Sequence, residues 1–273
     1  MTLRPRDGVR SLSIADPDLE LAVRAARQAG AAVMESFGRP GRIDRKADGQ
    51  PLTEADLAAD RILGEALRSA RPEYGWLSEE TADGPERLGA ERVWIVDPID
   101  GTSSFVEGVP DFTVCVGLAE RGEPRLGVVL NPARRILYYS VAGCGAYRNH
   151  RPLKEIGESP ESCTLLVSRA ENRRGEHDGW RPEWSLRDVG GTAWKLVSVA
   201  AGEGDGYLTR EGRHEWDLCA PLVVAREVGC RVTDADGREI PFNRPDPRVA
   251  GVVAAGPALH ARLLEAVRAR RDV

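Results

Sequence analysis

The 273-residue sequence is poor in the residues that build soft-metal and redox centres. Its four histidines, His150, His177, His214 and His260, stand isolated, with no HExxH or Cys/His spacing, which argues against a zinc site. Its five cysteines, Cys115, Cys144, Cys163, Cys219 and Cys230, include no CxxC pair, and an odd count argues against a disulfide framework. Most have apolar neighbours and read as small core residues. No apolar run approaches the ~18–20 residues that span a bilayer. The polar start Met1-Thr2-Leu3-Arg4-Pro5-Arg6 has no signal-peptide core behind it, so the expectation is a cytoplasmic protein without membrane contact. The formal charge is -5 and basic residues are dispersed, which argues against a nucleic-acid polymer as partner. No internal repeat or low-complexity tract occurs.

Hydrophobic residues make up 41% of the chain, enough for substantial cores, and the length suits two packed units. The stretch that organises the chain is Trp94-Ile95-Val96-Asp97-Pro98-Ile99-Asp100-Gly101-Thr102. Val93 to Val96 is a β-branched apolar run and reads as a buried strand. Pro98 has no amide for a sheet ladder, so the strand is expected to end at Asp97. Asp97 and Asp100 then face one point across a turn, and Gly101 allows close backbone approach. The amides of Gly101, Thr102 and Ser103 open a short helix, with Ser104 and Glu107 at capping-box spacing, and free amides there suit a phosphate. Hard carboxylate oxygens beside such a cradle suggest Mg²⁺ and a phosphate ester. Taken alone, the turn also fits a plain cap at Asp97 and a solvated Asp100.

Elsewhere the patterns alternate. Asp16-Pro17 begins an amphipathic helix through Phe37, closed by Gly38, and a polar loop spans Arg39 to Pro51. Thr53 caps a second helix, which Arg71-Pro72 stops. Trp76-Leu77-Ser78-Glu79-Glu80 is a strand end carrying adjacent acids, which are either solvated or neutralised by a cation. Phe112 to Leu118, Leu126 to Leu130 and Ile136 to Val141 read as an antiparallel meander, with a last strand and exit over Gly143 to Lys154. In the second half, strands are expected at Leu165–Ser168, Tyr207–Thr209, Arg231–Thr233, Glu239–Pro241 and Val252–Ala255. Helices are expected from Gly191 to Ala201, from Trp216 to Val228 and over Leu259–Val267, with a surface excursion over Arg173–Trp184. The fold class is α+β, with an antiparallel sheet in a first domain (residues 1–155) and a mixed sheet in a second (156–273).

The segments Leu52-Thr53-Glu54-Ala55-Asp56, Leu77-Ser78-Glu79-Glu80, Trp94 to Thr102 and Trp216-Asp217, in that order and at those separations, resemble the inositol monophosphatase superfamily. Its members are Mg²⁺-dependent, lithium-sensitive phosphomonoesterases, often dimeric, and the resemblance spans roughly residues 15 to 255. It implies a layered α-β-α-β-α sandwich with an inter-domain cleft to which the second half brings Asp217. It implies one Mg²⁺ on Glu80, Asp97 and the Ile99 carbonyl, a second on Asp97, Asp100 and Asp217, and a weaker third near Glu80. Thr102 would orient the attacking water and Asp56 would accept its proton, while Gly101, Thr102 and Ser103 would face the phosphate. The oxygen-only ligand set independently favours Mg²⁺ over zinc or copper. A haloacid-dehalogenase mechanism needs Asp-x-Asp, and here the spacing is three with Pro98 inside, so that alternative is rejected.

The substrate is the least legible part. In true inositol monophosphatases an acid about seven residues before the metal-binding Asp holds ring hydroxyls; here that place is Arg210, with Glu211 adjacent. Gly191-Thr192-Ala193-Trp194-Lys195 resembles the 3'(2'),5'-bisphosphate nucleotidase branch. Lys195 and Arg210 would suit a second phosphate, and equally fit solvated surface charges. Adenosine 3',5'-bisphosphate is therefore the favoured substrate. Inositol 1-phosphate, histidinol phosphate and fructose 1,6-bisphosphate remain alternatives, as does a non-catalytic metal- or phosphate-binding regulator. Lys46, in the Arg39–Pro51 loop, matches a basic residue of the family, whereas Gln50 stands where the family has an acid, so a third ion is expected to bind loosely.

Overall fold

A computed structural model describes residues 14–46, 49–157, 162–180 and 183–269. The N-terminal stretch Met1–Arg6 lies outside the described residues. Helix α1 (Pro17–Ser36) starts where Asp16 Oδ1 accepts the amides of Asp18 and Leu19, with Pro17 at its first position. Strands β1 (Ile43–Arg45) and β2 (Pro51–Thr53) form a hairpin inside what the sequence suggested was only loop. Helix α2 (Glu54–Ala70) begins with a capping box between Thr53 and Asp56 and ends at Arg71.

Seven strands follow as one sheet: β3 (Gly75–Ser78), β4 (Arg92–Asp100), β5 (Thr113–Glu120), β6 (Glu123–Asn131), β7 (Ile136–Val141), β8 (Ala146–Arg148) and β9 (Arg151–Pro152), paired in that order. All neighbours are antiparallel except β3 and β4, which run parallel. Strand β4 does not stop at Asp97 as expected. Its register breaks after Asp97 and resumes at Asp100, opposite Thr113, so Pro98 sits in the irregularity where no ladder amide is needed. Helix α3 (Thr102–Val106) follows Gly101, whose φ of +92° suits glycine. The predicted Ser104–Glu107 capping box is absent, because Gly101 is the N-cap and Glu107 is already the C-cap.

A second sheet is built from β10 (Thr164–Ser168), β11 (Ser185–Val189), β12 (Gly206–Thr209), β14 (Arg231–Thr233) and β16 (Val252–Ala255), in the order β11-β10-β12-β16-β14 with parallel and antiparallel pairs. The short strands β13 (Arg213–His214) and β15 (Arg248–Val249) pair apart from it. Its helices are α4 (Arg169–Arg173), α5 (Thr192–Ala200), α6 (Glu215–Arg226) and α7 (Pro257–Ala269). The segment expected as a surface excursion follows α4, makes a short 3₁₀ turn at Asp178–Trp180 and buries Trp180 and Trp184 in a core with Leu259 and Leu263. No strand forms at Glu239–Pro241.

The layers are α-β-α-β-α, as the resemblance implied. Helices α1 and α2 cover one face of the seven-stranded sheet, α5 and α6 fill the space between the sheets, and α7 covers the far face of the second. Two cross-strand glycines let α6 settle on the first sheet. Gly117 and Gly127 face each other on β5 and β6, and a Cβ on Gly127 would lie 2.0 Å from the Ala220 carbonyl oxygen. This contact brings the N-terminus of α6, and Asp217 with it, over the end of β4.

Candidate active site

The cleft forms where β3, β4 and α3 of the first half meet α4, α5 and the start of α6. Asp97 and Asp100 leave the broken end of β4, and Asp217 lies in the first turn of α6, where it accepts the His214 amide at 2.7 Å. One carboxylate oxygen from each of Asp97, Asp100 and Asp217 falls within 4.8 Å of the others. Asp100 is steadied by the start of α5, accepting the amides of Thr192 (2.8 Å) and Ala193 (2.9 Å). Gly191 permits that approach, since a Cβ there would come within 2.5 Å of Asp100 Oδ2.

The acid that completes the cluster is Glu79, not Glu80. Glu79 lines the cleft beside Asp97 and feels the charge of Asp217, whereas Glu80 turns towards Lys46 and Asp56. The Lys46 ammonium lies 2.6 Å from a carboxylate oxygen of each glutamate. Strand alternation explains the difference. Leu77, two residues before Glu79, and Ile95, two before Asp97, both point into the core between the sheets. That period-two signal was present in the sequence and distinguishes the two glutamates.

Burial pushes these acids upward. Glu79 rises to about 7, with Asp217's charge adding and Lys46 opposing, and Asp217 rises to about 6, with Asp100 adding. Glu80 is raised to about 7 by burial and then by Glu79. Asp97 is raised well above the usual range by burial and then by Glu79. Both Asp97 carboxylate oxygens are buried with no amide, hydroxyl or basic donor among the described residues; the contact with Glu79 favours a proton on Asp97, shared with the Glu79 carboxylate. Buried orphan oxygens amid other acids call for a cation, and a donor set of oxygens alone suits a hard divalent ion.

Beside the cluster stands a hydroxyl–carboxylate pair. Thr102 Oγ1 is 3.1 Å from Asp56 Oδ1 and 3.0 Å from the Ile99 carbonyl oxygen. Asp56 is fully buried and held from behind by the Thr53 amide (2.8 Å) and hydroxyl (2.6 Å). Burial raises its pKa, against these bonds. Gly101, Thr102 and Ser103 line the cleft, and a Cβ on Gly101 would meet the Asp111 carbonyl oxygen at 2.8 Å.

Of the two basic residues singled out for substrate, Lys195 lines the cleft and Arg210 does not. Arg210 is exposed and borders a separate depression with Glu171 and His177, because the chain turns away before β13. Arg213, Arg169 and Arg173 line the cleft instead. They were missed because the conformation of the chain before Trp216-Asp217 and the existence of α4 carry no periodic signal.

A cleft that gathers carboxylates from both halves of a layered chain, beside a threonine–aspartate pair, is the working part of a phosphate monoester hydrolase. The chain belongs to the inositol monophosphatase family, whose family model matches residues 15–272. It is 33% identical over 261 residues to an inositol-1-monophosphatase of Mesorhizobium japonicum, covering 92% of this chain and 96% of that one. It is 31% identical over 233 residues to the 3'(2'),5'-bisphosphate nucleotidase CysQ of Salmonella typhimurium, covering 82% and 93%. The solved structure of Thermotoga maritima IMPase overlays with a TM-score of 0.82 at 27% identity, covering 92% and 96%. Similarity at this level is shared by more than one activity, so it leaves the substrate to the cleft itself. Among the described residues no helix is long and apolar enough to cross a membrane.

Proposed function

We propose that the chain hydrolyses a small phosphate monoester with Mg²⁺, through water attack and without a covalent intermediate. The observation that carries this is Asp97, buried among the acids Glu79, Asp100 and Asp217 with no amide, hydroxyl or basic donor on its oxygens among the described residues. Glu79, Asp97, the Ile99 carbonyl, Asp100 and Asp217 would hold two ions, with Asp97 shared. When bound, Mg²⁺ supplies the positive charge that neutralises phosphate oxygens and acidifies water. The Thr102 hydroxyl has one proton to give. It lies within reach of both the Ile99 carbonyl and Asp56. Were the carbonyl to hold an ion, the proton would point to Asp56 and a Thr102 lone pair would orient the attacking water. As the water's proton passed to Thr102, the threonine's own would pass to Asp56. Residues 101–103 then face the phosphate oxygens. Lys46 already neutralises Glu80, so the third-ion place is filled by an ammonium and two tight ions are the expectation.

For substrate we favour a phosphate ester with a second anionic group, adenosine 3',5'-bisphosphate first. Lys195 and three arginines line the second-half wall, and the acid that would hold inositol hydroxyls is missing from it. Lithium inhibition, a cytoplasmic location and a homodimer follow from the family resemblance as proposals. The two halves, 1–155 and 156–273, would supply the two walls of the cleft. The test is phosphate release with and without Mg²⁺ from adenosine 3',5'-bisphosphate, inositol 1-phosphate, fructose 1,6-bisphosphate and histidinol phosphate. Mg²⁺-dependent release, fastest from the nucleotide, is expected; none from any of the four refutes the assignment.

A further inference from the structure

We infer that Arg213 selects the substrate by its charge beyond the reacting phosphate, and that Glu171 is its positioning residue; this rests on the phosphatase function proposed above. Arg213 lies on β13, immediately before the His214 N-cap and the first turn of α6 that carries Asp217. Its side chain lines the cleft while remaining only 14% exposed. Nη2 bonds Glu171 and lies 3.3 Å from Thr209 Oγ1, and Nη1 donates to the Gly212 carbonyl at 2.8 Å. Nε is buried without a partner among the described residues. The Tyr207 phenol also stands against the guanidinium, which is thus fixed in place on the cleft wall.

Glu171, on α4, does the fixing from below. Its side chain is 1% exposed, both of its oxygens lie 3.0 Å from Thr209 Oγ1, and His177 Nε2 is 3.3 Å away. The His177 hydrogen bond and then the Arg213 charge hold its carboxyl down at about 2, against the burial that would raise it. A countercharge this deep gives Arg213 one orientation instead of the several a surface arginine samples. Of the cleft-lining residues beyond residue 160, Arg169, Arg173, Lys195 and Arg213 are cations and Asp217 is the single carboxylate, already committed to the acidic cluster. A polyol would need acceptors on this wall. The wall offers donors, which is what a second phosphate or carboxylate requires.

The test compares adenosine 3',5'-bisphosphate with adenosine 3'-monophosphate, which differ only in the distal phosphate, using the full chain with Mg²⁺. The wild type should prefer the bisphosphate by about ten-fold or more in kcat/KM. Arg213→Met should bring that ratio close to one, with the loss in the bisphosphate KM, and Arg213→Lys should restore only part of it. Glu171→Gln should lower the ratio while its phosphate release still depends on Mg²⁺. Since Arg213→Met takes the arginine from the buried Glu171 and leaves it only Thr209 and His177, the double variant Glu171→Gln/Arg213→Met, which removes both charges, is measured alongside with its melting temperature. A wild type blind to the second phosphate, or an Arg213→Met variant losing both substrates equally, overturns the inference. No Mg²⁺-dependent release from either nucleotide or from inositol 1-phosphate would overturn the phosphatase function, and this inference with it.

Discussion

The two walls of the cleft carry opposite charge, and they differ more in how that charge is satisfied than in its sign. On the basic wall, Arg213 is matched by Glu171, Arg169 lies 3.5 Å from an Asp111 oxygen and Arg173 lies 3.7 Å from a Glu107 oxygen. The acidic wall is unmatched at its centre. Lys46 reaches Glu79 and Glu80, but Asp97 has no amide, hydroxyl or basic donor among the described residues. Paired arginines need no external partner, whereas a bare buried aspartate among other acids is what the proposed cation would relieve.

The largest effect should come from breaking the acidic side. Asp97→Asn should lower kcat by about a thousand-fold or more, in steady-state assays with saturating Mg²⁺. The same variant should melt about 2 °C or more above the wild type when both are metal-free, since it removes an uncompensated buried charge. A lower metal-free melting temperature would show that Asp97 is not under repulsion. Next in size, Thr102→Ala and Asp56→Asn should each cost about 10²–10⁴-fold in kcat with little change in Mg²⁺ affinity. Equal losses in the double variant would show the two act as one unit.

The acidic wall also predicts a pH dependence of metal stabilisation. Carboxylates with raised pKa values bind more protons folded than unfolded between the ordinary acid range and about 7, so metal-free stability falls as pH rises through that window. Mg²⁺ must displace more protons at pH 5.5 than at pH 7.5, where the ligands are more fully ionised. The Mg²⁺-induced rise in melting temperature should therefore be larger at pH 7.5, and an equal rise at both values would place binding elsewhere. The smallest effect concerns Lys46→Met. It should expose Glu80 to a further weak cation, so that Mg²⁺ binding gains a low-affinity component while the two tight sites persist.

The same contrast governs what could be read from the sequence. The acidic wall sits on regular elements with local signals: a β-branched run into Asp97, a proline that breaks the ladder, and a Thr53–Asp56 cap that structure and chemistry share. Even there, the extension of β4 to Asp100 depended on a bulge that no residue announces. Strand parity, marked by Leu77 and Ile95 on the core face, selects Glu79 over the expected Glu80. The basic wall depends on long-range placement. Arg213 and Glu171 lie 42 residues apart and meet only because β12 and β13 bring them together, so counting back seven from Asp217 reached the exposed Arg210 instead. Likewise, Trp180 and Trp184 are buried through packing against α7, which the polar surroundings of residues 173–184 do not disclose.

The most direct measurement is isothermal titration of the metal-free protein with Mg²⁺ at pH 7.5, repeated in buffers of different ionisation enthalpy to count released protons. Two saturable sites with net proton release, both lost in Asp97→Asn, are predicted. Absence of saturable binding, or binding that persists unchanged in Asp97→Asn, would contradict the claim that divalent ions hold the four carboxylates together.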